Sequence, residues 1–410
     1  MKKLLLSSSI MLAFFGANAQ EADSVSLEPG YIKQSYYSIE NGEMASVTLA
    51  SWDLAFDVSS WGSAVRINAT KYELYLSTTD TADFGSPLDT AGIDGWDSYL
   101  NSDVSWGSGA FNGPADGGDA TDLGWGHYST ITHHTVGDRV FVLKDIASNE
   151  CHKIWIQLLA SGTFTFRVAS LDNTDDDVYT VVKSDFTNKN FGYFYLTAGT
   201  TLDLEPNNET WDIIFTKYVT ELAPGVSYGV TGVLSNASVM TQKIDDLPVA
   251  DANYVEGASI DEINVIGYDW KYFDMGSFSF MLEDSTSFFV ESFSGDVWKL
   301  WFTSFEGSSS GKVVFNKQLV GAAGNPEFDF GYSVYPNPAK DILNITSENG
   351  APIENIVIYD LSGKVVYSET ITSGSDFITI STNDLIQGTY IVQIVNSNGA
   401  AETQKIQVIH

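Results

Sequence analysis

The feature that most limits what this 410-residue chain can fold into is its series of short alternating apolar and polar segments, separated by Gly and Asp. Each alternating segment has the period of two that is typical of a strand with one buried face. No segment longer than a few turns has helical periodicity, and β-branched and aromatic residues are abundant. The sequence therefore predicts an all-β protein of antiparallel strands. The clearest alternating segments are 71–76, 139–143, 153–158 and 163–168.

The middle of the chain contains two similar halves. Three landmarks recur there in the same order: a Tyr-rich strand followed by Trp-Asp-x-x-Phe, a Trp/Tyr-rich segment, and Lys-x-Trp followed by Gly and Phe. Such recurrence predicts two related antiparallel β repeats, at about 31–170 and 190–320, which form either one continuous sheet or two domains. The three pairs of matching segments are 36–56 with 193–215, 93–99 with 266–272, and 153–166 with 299–315.

Both ends of the chain carry segments of a different kind. Two lysines and an apolar run at 4–15 precede Ala17-Asn18-Ala19, which predicts a signal peptide, 1–19, cleaved after Ala19. The run is shorter than the ~20 residues that span a bilayer, and no later segment supplies that length, so no transmembrane segment is expected. Gly and Ala at 321–325 predict a linker to a separate C-terminal domain at 326–410.

The C-terminal domain resembles a known family. The similarity lies in Tyr335-Pro-Asn-Pro-Ala339, the strand 341–345, the hairpin 357–366, and the strands 388–393 and 404–409. These motifs, in this order, resemble the type A sorting domain of type IX secretion substrates. The resemblance implies an immunoglobulin-like β-sandwich that the outer-membrane translocon recognises. The expected destination is the medium or the outer-membrane surface, reached through the periplasm.

Residues 20–320 resemble a second family. Trp52-Asp-Leu-Ala-Phe56 follows a Tyr-Tyr strand, Lys153-Ile-Trp-Ile precedes Gly162-Thr-Phe-Thr-Phe166, and Trp211-Asp-Ile-Ile-Phe215 repeats the first motif. Together they resemble HmuY-like proteins, an all-β haem-binding family. The resemblance implies that the protein captures haem without chemistry and holds the iron between two axial histidine or methionine side chains.

Histidines are the first candidates for those ligands. Neighbouring residues of a strand point to opposite faces, so at most one of His133 and His134 can reach a given iron. For each histidine taken alone, a surface or hydrogen-bonding role is the alternative. The candidate haem ligands are His127, His133, His134 and His152.

The tryptophans and methionines complete the list of candidates. Trp52, Trp211 and Trp298 lie in Trp-x-x-x-Phe segments, which favours a core position, with a sugar-stacking platform as the alternative. The methionines outside the signal peptide are expected to fill the core; they are Met44, Met240, Met275 and Met281. Three tryptophans in the Gly-, Ser- and Asp-rich segment 92–126 are candidate ligand contacts, namely Trp96, Trp106 and Trp125.

The net charge of the chain excludes some classes of binding partner. A formal net charge of −33 repels nucleic acid and anionic membrane surfaces. Solubility outside the cell is the simplest reason for so much acid. The alternative is a calcium site, either at Asp116, Asp119 and Asp122 or at Asp172, Asp175, Asp176 and Asp177. Known catalytic motifs are absent from the sequence, so we expect a protein that is not an enzyme. The competing class is a surface adhesion or carbohydrate-binding protein that uses its loop tryptophans.

Overall fold

A computed structural model describes residues 20–223, 225–321, 332–347, 352–360, 363–396 and 401–409. The predicted signal peptide 1–19 and residues 322–325 of the predicted linker lie outside the described residues. Two compact units divide the chain, Met1–Gly321 and Ala322–His410. The described elements are antiparallel strands and short 3-10 helices, which confirms the all-β prediction. None of the described helices is long and apolar enough to cross a bilayer.

The described part of the first unit contains 23 strands. In chain order they are β1 (Glu21–Ser26), β2 (Lys33–Ser38), β3 (Gly42–Thr48), β4 (Leu54–Asp57), β5 (Val65–Ile67), β6 (Tyr72–Thr78), β7 (Ser98–Tyr99), β8 (Gly126–Tyr128), β9 (Thr135–Gly137), β10 (Val140–Asp145), β11 (Cys151–Ala160), β12 (Thr163–Ser170), β13 (Asp176–Val182), β14 (Phe191–Tyr195), β15 (Thr200–Leu202), β16 (Ile213–Ala223), β17 (Val226–Ser235), β18 (Met240–Ile244), β19 (Lys271–Asp274), β20 (Ser279–Leu282), β21 (Ser287–Glu291), β22 (Val297–Phe305) and β23 (Lys312–Gly321). The 3-10 helices are Pro29–Tyr31, Leu49–Ser51, Thr81–Gly85, Ile93–Gly95, Ala110–Asn112, Lys183–Phe186, Leu196–Ala198 and Gly307–Ser309.

These strands form two sandwich-like halves. In one half, the sheet β13-β12-β11-β10-β6-β7, extended by β8 and β9, faces the sheet β15-β14-β4-β5. Their shared core contains Phe56, Phe141 and Phe166. In the other half, the sheet β1-β23-β22-β21-β18 faces β17-β16-β2-β3 across a core that contains Phe215 and Phe315. The small hairpin β19-β20 lies outside these sheets.

The two halves have equivalent strand orders, but their leading strands are exchanged. Strands β1, β2 and β3 come before β4 in the chain, yet β1 pairs with β23 and β2 pairs with β16. In the same way β13 pairs with β12, and β14 pairs with β4. The half built mainly from β16–β18 and β21–β23 thus also contains β1–β3, and the half built mainly from β4–β12 also contains β13–β15. In each case the added strands come directly before the strands of the opposite half in the chain. The packing units differ from the segments 31–170 and 190–320, and the two-repeat interpretation itself stays a prediction.

Equivalent lysines stabilise both halves from within. Lys153 on β11 is 1 % exposed, and its Nζ donates to the carbonyl oxygens of Phe84 and Ser86 at 2.7 and 2.8 Å. Lys299 on β22 donates in the same manner to the carbonyls of Val249 and Ala252. A buried ammonium is costly unless it is hydrogen-bonded, so each lysine fixes the loop that crosses its sheet.

The second unit is a smaller sandwich. A three-stranded sheet, β24-β25-β28, and a four-stranded sheet, β27-β26-β29-β30, enclose a core of aliphatic side chains, as expected for an immunoglobulin-like module. Its strands are β24 (Tyr332–Tyr335), β25 (Ile342–Ser347), β26 (Ile353–Asp360), β27 (Val365–Ser375), β28 (Phe377–Ser381), β29 (Gly388–Asn396) and β30 (Ala401–Val408).

Candidate functional site

A cleft of the first unit lies where its two halves meet. One wall comes from β4, β5, β14 and the loop after β7, and the other from β2, β16 and β17. The space between the walls is about 680 Å³, a volume that includes open solvent. The lining side chains include Trp52, Arg66, Asn101, Asp103, Trp106, Tyr193 and Tyr218.

A pair of tyrosines joins the halves beside this cleft. The hydroxyl oxygens of Tyr36 and Tyr193 are 3.0 Å apart, and each ring packs edge-on against a tryptophan of the opposite repeat. The Tyr36 ring lies 5.0 Å from Trp211, and the Tyr193 ring lies 5.2 Å from Trp52. Burial raises the pKa of both phenols, so they stay neutral hydrogen-bonding groups. The Tyr-rich strands and the Trp-Asp motifs that recur in the sequence thus contact each other where the two halves of the unit meet.

The Trp106 side chain is fixed from both sides of the cleft. Its Nε1 donates to the Ser235 carbonyl of the opposite half at 2.8 Å. The Arg66 guanidinium lies 4.9 Å from its ring centroid and donates to the carbonyls of Ser102 and Ser105 at 2.7 and 3.0 Å. Burial lowers the pKa of Arg66 to about 10, which leaves it charged at neutral pH. The ring is therefore held in place before any ligand arrives.

A buried carboxyl supports the tyrosine pair. Glu205 is 3 % exposed, and its Oε1 accepts from the backbone N–H of Asn190 at 2.5 Å. The Tyr193 hydroxyl donates to Glu205 Oε2 at 3.4 Å. Burial raises the pKa of Glu205 to about 8, so the neutral acid predominates at pH 7. The Glu205 carboxyl behind the cleft is thus a neutral polar group at pH 7.

The polar groups at the mouth of the cleft come from both halves. Asp103 accepts a 2.5 Å hydrogen bond from the Thr220 hydroxyl of β16, and Asn101 donates from Nδ2 to the Ile67 carbonyl at 2.7 Å. Tyr218 is half-buried on the β16 wall. Partly exposed aromatic rings beside fixed amide and carboxylate groups can bind a ligand that has an apolar face and hydroxyl edges.

The predicted histidines lie elsewhere and in different surroundings. His127 Nδ1 is 2.7 Å from Asp138, and its Nε2 is 3.6 Å from Asp119. His133 is exposed beside a groove that also contains Trp61, and its Nδ1 is 2.8 Å from the Tyr128 hydroxyl. The partly buried His134 is its chain neighbour.

His152 lines a separate acidic pocket with Asp145 and Asp177. The described pockets thus place His133 and His152 apart, and neither of them lines the aromatic cleft. Among the described residues, no group of three or more His, Cys, Asp or Glu side chains is placed to hold one metal ion. The assignment of any histidine as a haem ligand stays a prediction.

The three aspartates of the first candidate calcium site are engaged within their own loop. Asp122 accepts two hydrogen bonds from the Arg139 guanidinium, at 2.7 and 2.9 Å, and one from the backbone N–H of Asp116. Asp119 accepts from the backbone N–H and the hydroxyl of Thr121. These contacts fix the loop, and calcium binding there stays a prediction that no metal-ligand geometry supports.

The loop tryptophans have three different environments. Trp125 is 0 % exposed in the core, and its Nε1 donates to the Ser63 carbonyl at 2.9 Å. Its predicted role as a ligand contact is therefore wrong, because the ring is out of reach of any ligand. Trp96 packs against a small cluster beside Tyr75, whereas Trp106 lines the cleft, and a ligand contact at either ring stays a prediction.

Only some of the tryptophans of the Trp-x-x-x-Phe segments lie in the core, and the methionines lie outside it. Trp211 and Trp298 are buried as expected, while Trp52 is partly exposed in the cleft. The expectation that methionines fill the core is wrong. All four are exposed by 39 to 71 %, because they lie at strand edges and on a projecting hairpin; they are Met44, Met240, Met275 and Met281.

Several cleft residues were not predicted from the sequence. Arg66, Tyr193 and Glu205 come from separate strands and loops, and no motif spacing links them. Only the recurrence of the Tyr-rich strand before Trp-Asp could have pointed to Tyr193. Its partner across the unit depends on the strand exchange, which the sequence does not show.

Comparison with known proteins identifies the C-terminal module. The family described as "Secretion system C-terminal sorting domain" matches residues 333–409. The module is therefore a type IX sorting domain, and the protein is exported to the medium or to the outer-membrane surface. No curated protein matches the chain.

Similar solved structures include one from Bacteroides vulgatus and one from Porphyromonas gingivalis. A DUF3244 family protein of Bacteroides vulgatus with an immunoglobulin-like β-sandwich fold is 22 % identical, over 20 % of this chain and 89 % of that chain, with a TM-score of 0.18. Dimeric latent PorU from Porphyromonas gingivalis is 11 % identical, with a TM-score of 0.15. That match covers 67 % of this chain and only 26 % of the PorU chain.

Proposed function

We propose that this chain, whose C-terminal module is a secretion system sorting domain, is a binding protein of the cell exterior that takes a saccharide into its aromatic cleft without chemical change. The observation that carries the proposal is the cleft itself. It presents the partly exposed rings of Trp52 and Trp106 beside Asn101 and Asp103. Sugar rings have an apolar C–H face and hydroxyl edges, which match aromatic faces and fixed polar groups.

The rigidity of the site supports this function. Trp106 is held by its hydrogen bond to Ser235 and by the Arg66 guanidinium, and the Tyr193 ring is held by Trp52 and Glu205. A site that is ordered before binding does not lose side-chain entropy when the ligand enters. A weakly binding neutral ligand such as a sugar gains most from this arrangement.

The charges favour a neutral saccharide over an acidic one. The Arg66 guanidinium is directed to loop carbonyls, and the carboxylate of Asp103 lines the cleft. The chain as a whole carries a net charge of −33, which repels anions at long range.

Saccharide binding to the mature full-length chain tests the proposal. Titration calorimetry against neutral and uronic-acid oligosaccharides should give affinity for a neutral member. Trp52→Ala and Trp106→Ala should each weaken it by about tenfold, since truncating a central contact costs more than about 1 kcal/mol. Trp61→Ala, which removes a ring that is 92 % exposed in another groove, is the matched control. Absence of saccharide binding, or equal loss in the Trp61 control, would refute the proposal.

Haem capture is a second candidate, favoured by one contact. The Tyr128 hydroxyl lies 2.8 Å from His133 Nδ1, at a groove that also contains Trp61 and Leu159. Tyrosine and histidine are both known haem-iron ligands. The other support is the resemblance of the aromatic sequence motifs in residues 20–320 to HmuY-like proteins.

Haemin titration of the mature chain, followed by absorbance, tests this candidate. A sharp Soret band at one equivalent should be lost in His133→Ala and kept in His127→Ala, His134→Ala and His152→Ala. A band that is unchanged in His133→Ala, or no band at all, would rule out haem capture at this groove.

A further inference from the structure

The hairpin β19-β20 exposes an unusual set of apolar side chains. Two lie side by side on its outer face, because Tyr272 pairs with Met281 in the register of the strands. Others lie at its tip and along its edge. The five side chains, which we call the hairpin patch, are exposed by 43 to 75 % and are Tyr272, Phe273, Met275, Phe278 and Met281.

The inner side of the hairpin is anchored to the core, so this exposure is not a sign of a loose segment. Phe280 packs edge-on against Phe305, with ring centroids 4.8 Å apart. Leu282 packs against the core of the second half. Lys271 Nζ donates to the Thr231 carbonyl at 2.6 Å. The outer face is therefore presented to solvent on a fixed base.

The tip is also held in an exposed conformation. The Asp274 carboxylate accepts from the backbone N–H groups of Gly276 and Ser277 at 3.1 and 2.8 Å. Phe278 has a φ of 51°, in the left-handed region that bulky residues rarely adopt. Met275 and Phe278, the most exposed members of the patch, are thus kept out of the core by the backbone itself.

Acidic side chains surround the base of the hairpin. Glu283 and Asp284 follow β20 directly and are exposed, and no ion pair reaches either of them within the described part of the chain. The backbone N–H of Leu247 donates to the Ser285 carbonyl, which brings the exposed Asp246 to the same base. The patch is therefore apolar at its tip and negative at its rim.

We infer that the hairpin patch is a docking surface for a cationic amphipathic peptide segment. Such a segment places its apolar side chains on the Met and Phe side chains and its lysines or arginines against Glu283 and Asp284. Methionine suits this role because its flexible, polarisable side chain adapts to varied apolar partners. The acidic rim adds attraction to a cation at long range.

The same charges disfavour the other occupants of an exposed apolar patch. An anionic lipid surface would face Glu283 and Asp284 with like charge. A second copy of this chain would bring two acidic rims together, and each copy carries a net charge of −33. The inference is independent of the saccharide proposal, since no hairpin residue lines the aromatic cleft.

The test uses the mature full-length chain and three probes. They are a fluorescent amphipathic helical peptide of leucine and lysine, its analogue with glutamate in place of lysine, and vesicles of phosphatidylcholine. The lysine peptide should bind, as measured by fluorescence anisotropy, whereas the glutamate analogue and the vesicles should not. The double variant Met275→Ser/Phe278→Ser should weaken it by about tenfold or more, as truncated central anchors do. Glu283→Gln/Asp284→Asn should weaken it at low salt and reduce its salt dependence.

Ile131→Ser is the matched control, because Ile131 is 90 % exposed and lies in the other half. Unfolding curves of all variants should overlay that of the parent, since each changed side chain is exposed. Equal binding by the parent and the Met275/Phe278 variant would overturn the inference and leave bulk charge as the cause. Hairpin-dependent binding to the vesicles, or hairpin-dependent self-association without peptide, would overturn it in favour of a lipid surface or a second copy.

Discussion

Replacing Glu205 with Gln should change how the stability of the first unit depends on pH. The Glu205 carboxyl is 3 % exposed behind the aromatic cleft, next to the Tyr193 hydroxyl. Burial raises its pKa from 4.5 to about 8. Gln has nearly the shape of the neutral acid but does not titrate, so the variant removes the ionisation and little else.

The size of the effect follows from this pKa. Between about pH 4.5 and pH 8 the folded protein keeps the proton, whereas the unfolded chain loses it. The free energy of unfolding therefore falls as the pH rises through this window, by about 1.4 kcal/mol for each pH unit. The total loss approaches about 5 kcal/mol above pH 8, where the folded state also ionises.

A second buried group acts in the opposite direction. Burial lowers the pKa of Lys271 to about 7. Above pH 7 the folded state has released a proton that the unfolded state still holds, so the Lys271 contribution makes the free energy of unfolding rise with pH. The Glu205 contribution must therefore be measured as the difference between parent and Glu205→Gln at each pH.

Urea unfolding between about pH 5 and pH 9, followed by tryptophan fluorescence, provides that difference. All ten tryptophans lie before residue 302, so the signal reports on the first unit alone. The variant should match the parent near pH 5 and exceed it by several kcal/mol near pH 9, while the exposed control Glu209→Gln follows the parent throughout. A difference between Glu205→Gln and the parent that stays constant within about 1 kcal/mol would refute the reasoning.

Three further outcomes are expected from the same unfolding assay. Trp125→Ala should cost about 3 to 5 kcal/mol because it empties a core position, whereas Trp61→Ala should change stability by less than about 0.5 kcal/mol; equal effects would contradict the assigned positions. Lys153→Met should cost about 2 to 4 kcal/mol, since the carbonyls of Phe84 and Ser86 lose their donor, and an unchanged midpoint would show that water replaces it. Val25→Asp should open the half closed by β1 and expose 213–321 to proteolysis, because it places a carboxylate at a site that is 1 % exposed; proteolysis confined to 54–194 would argue against the exchanged strands.

Local patterns in the sequence were sufficient for the fold class. The segments 139–143 and 153–158 lie in β10 and β11 as predicted, although β10 is buried on both faces from Val140 to Leu143 rather than on one. The motifs of the C-terminal module predicted a sorting domain at 326–410, and the family match at 333–409 confirms it. These predictions depend on neighbouring residues alone.

The sequence predicted the burial of individual side chains less well than it predicted the strands and the C-terminal module. Trp125 and Trp106 lie in the same Gly-rich segment, yet the first is in the core and the second reaches the cleft. Met275 and Met281 are exposed although methionine is usually buried. Local composition does not say which face of a loop or hairpin meets the rest of the chain.

The sequence by itself determined the strand content, the recurrence of Tyr and Trp-Asp landmarks, and the export module. The tertiary structure decided how those landmarks combine, since β2 pairs with β16 and β14 with β4, strands that lie far from them in the chain. That exchange brings Tyr36 to Tyr193 and assembles the aromatic cleft from both halves. The physical reason is that backbone hydrogen bonds between strands are the same for every residue type, so strand partners are chosen by the packing of whole sheets.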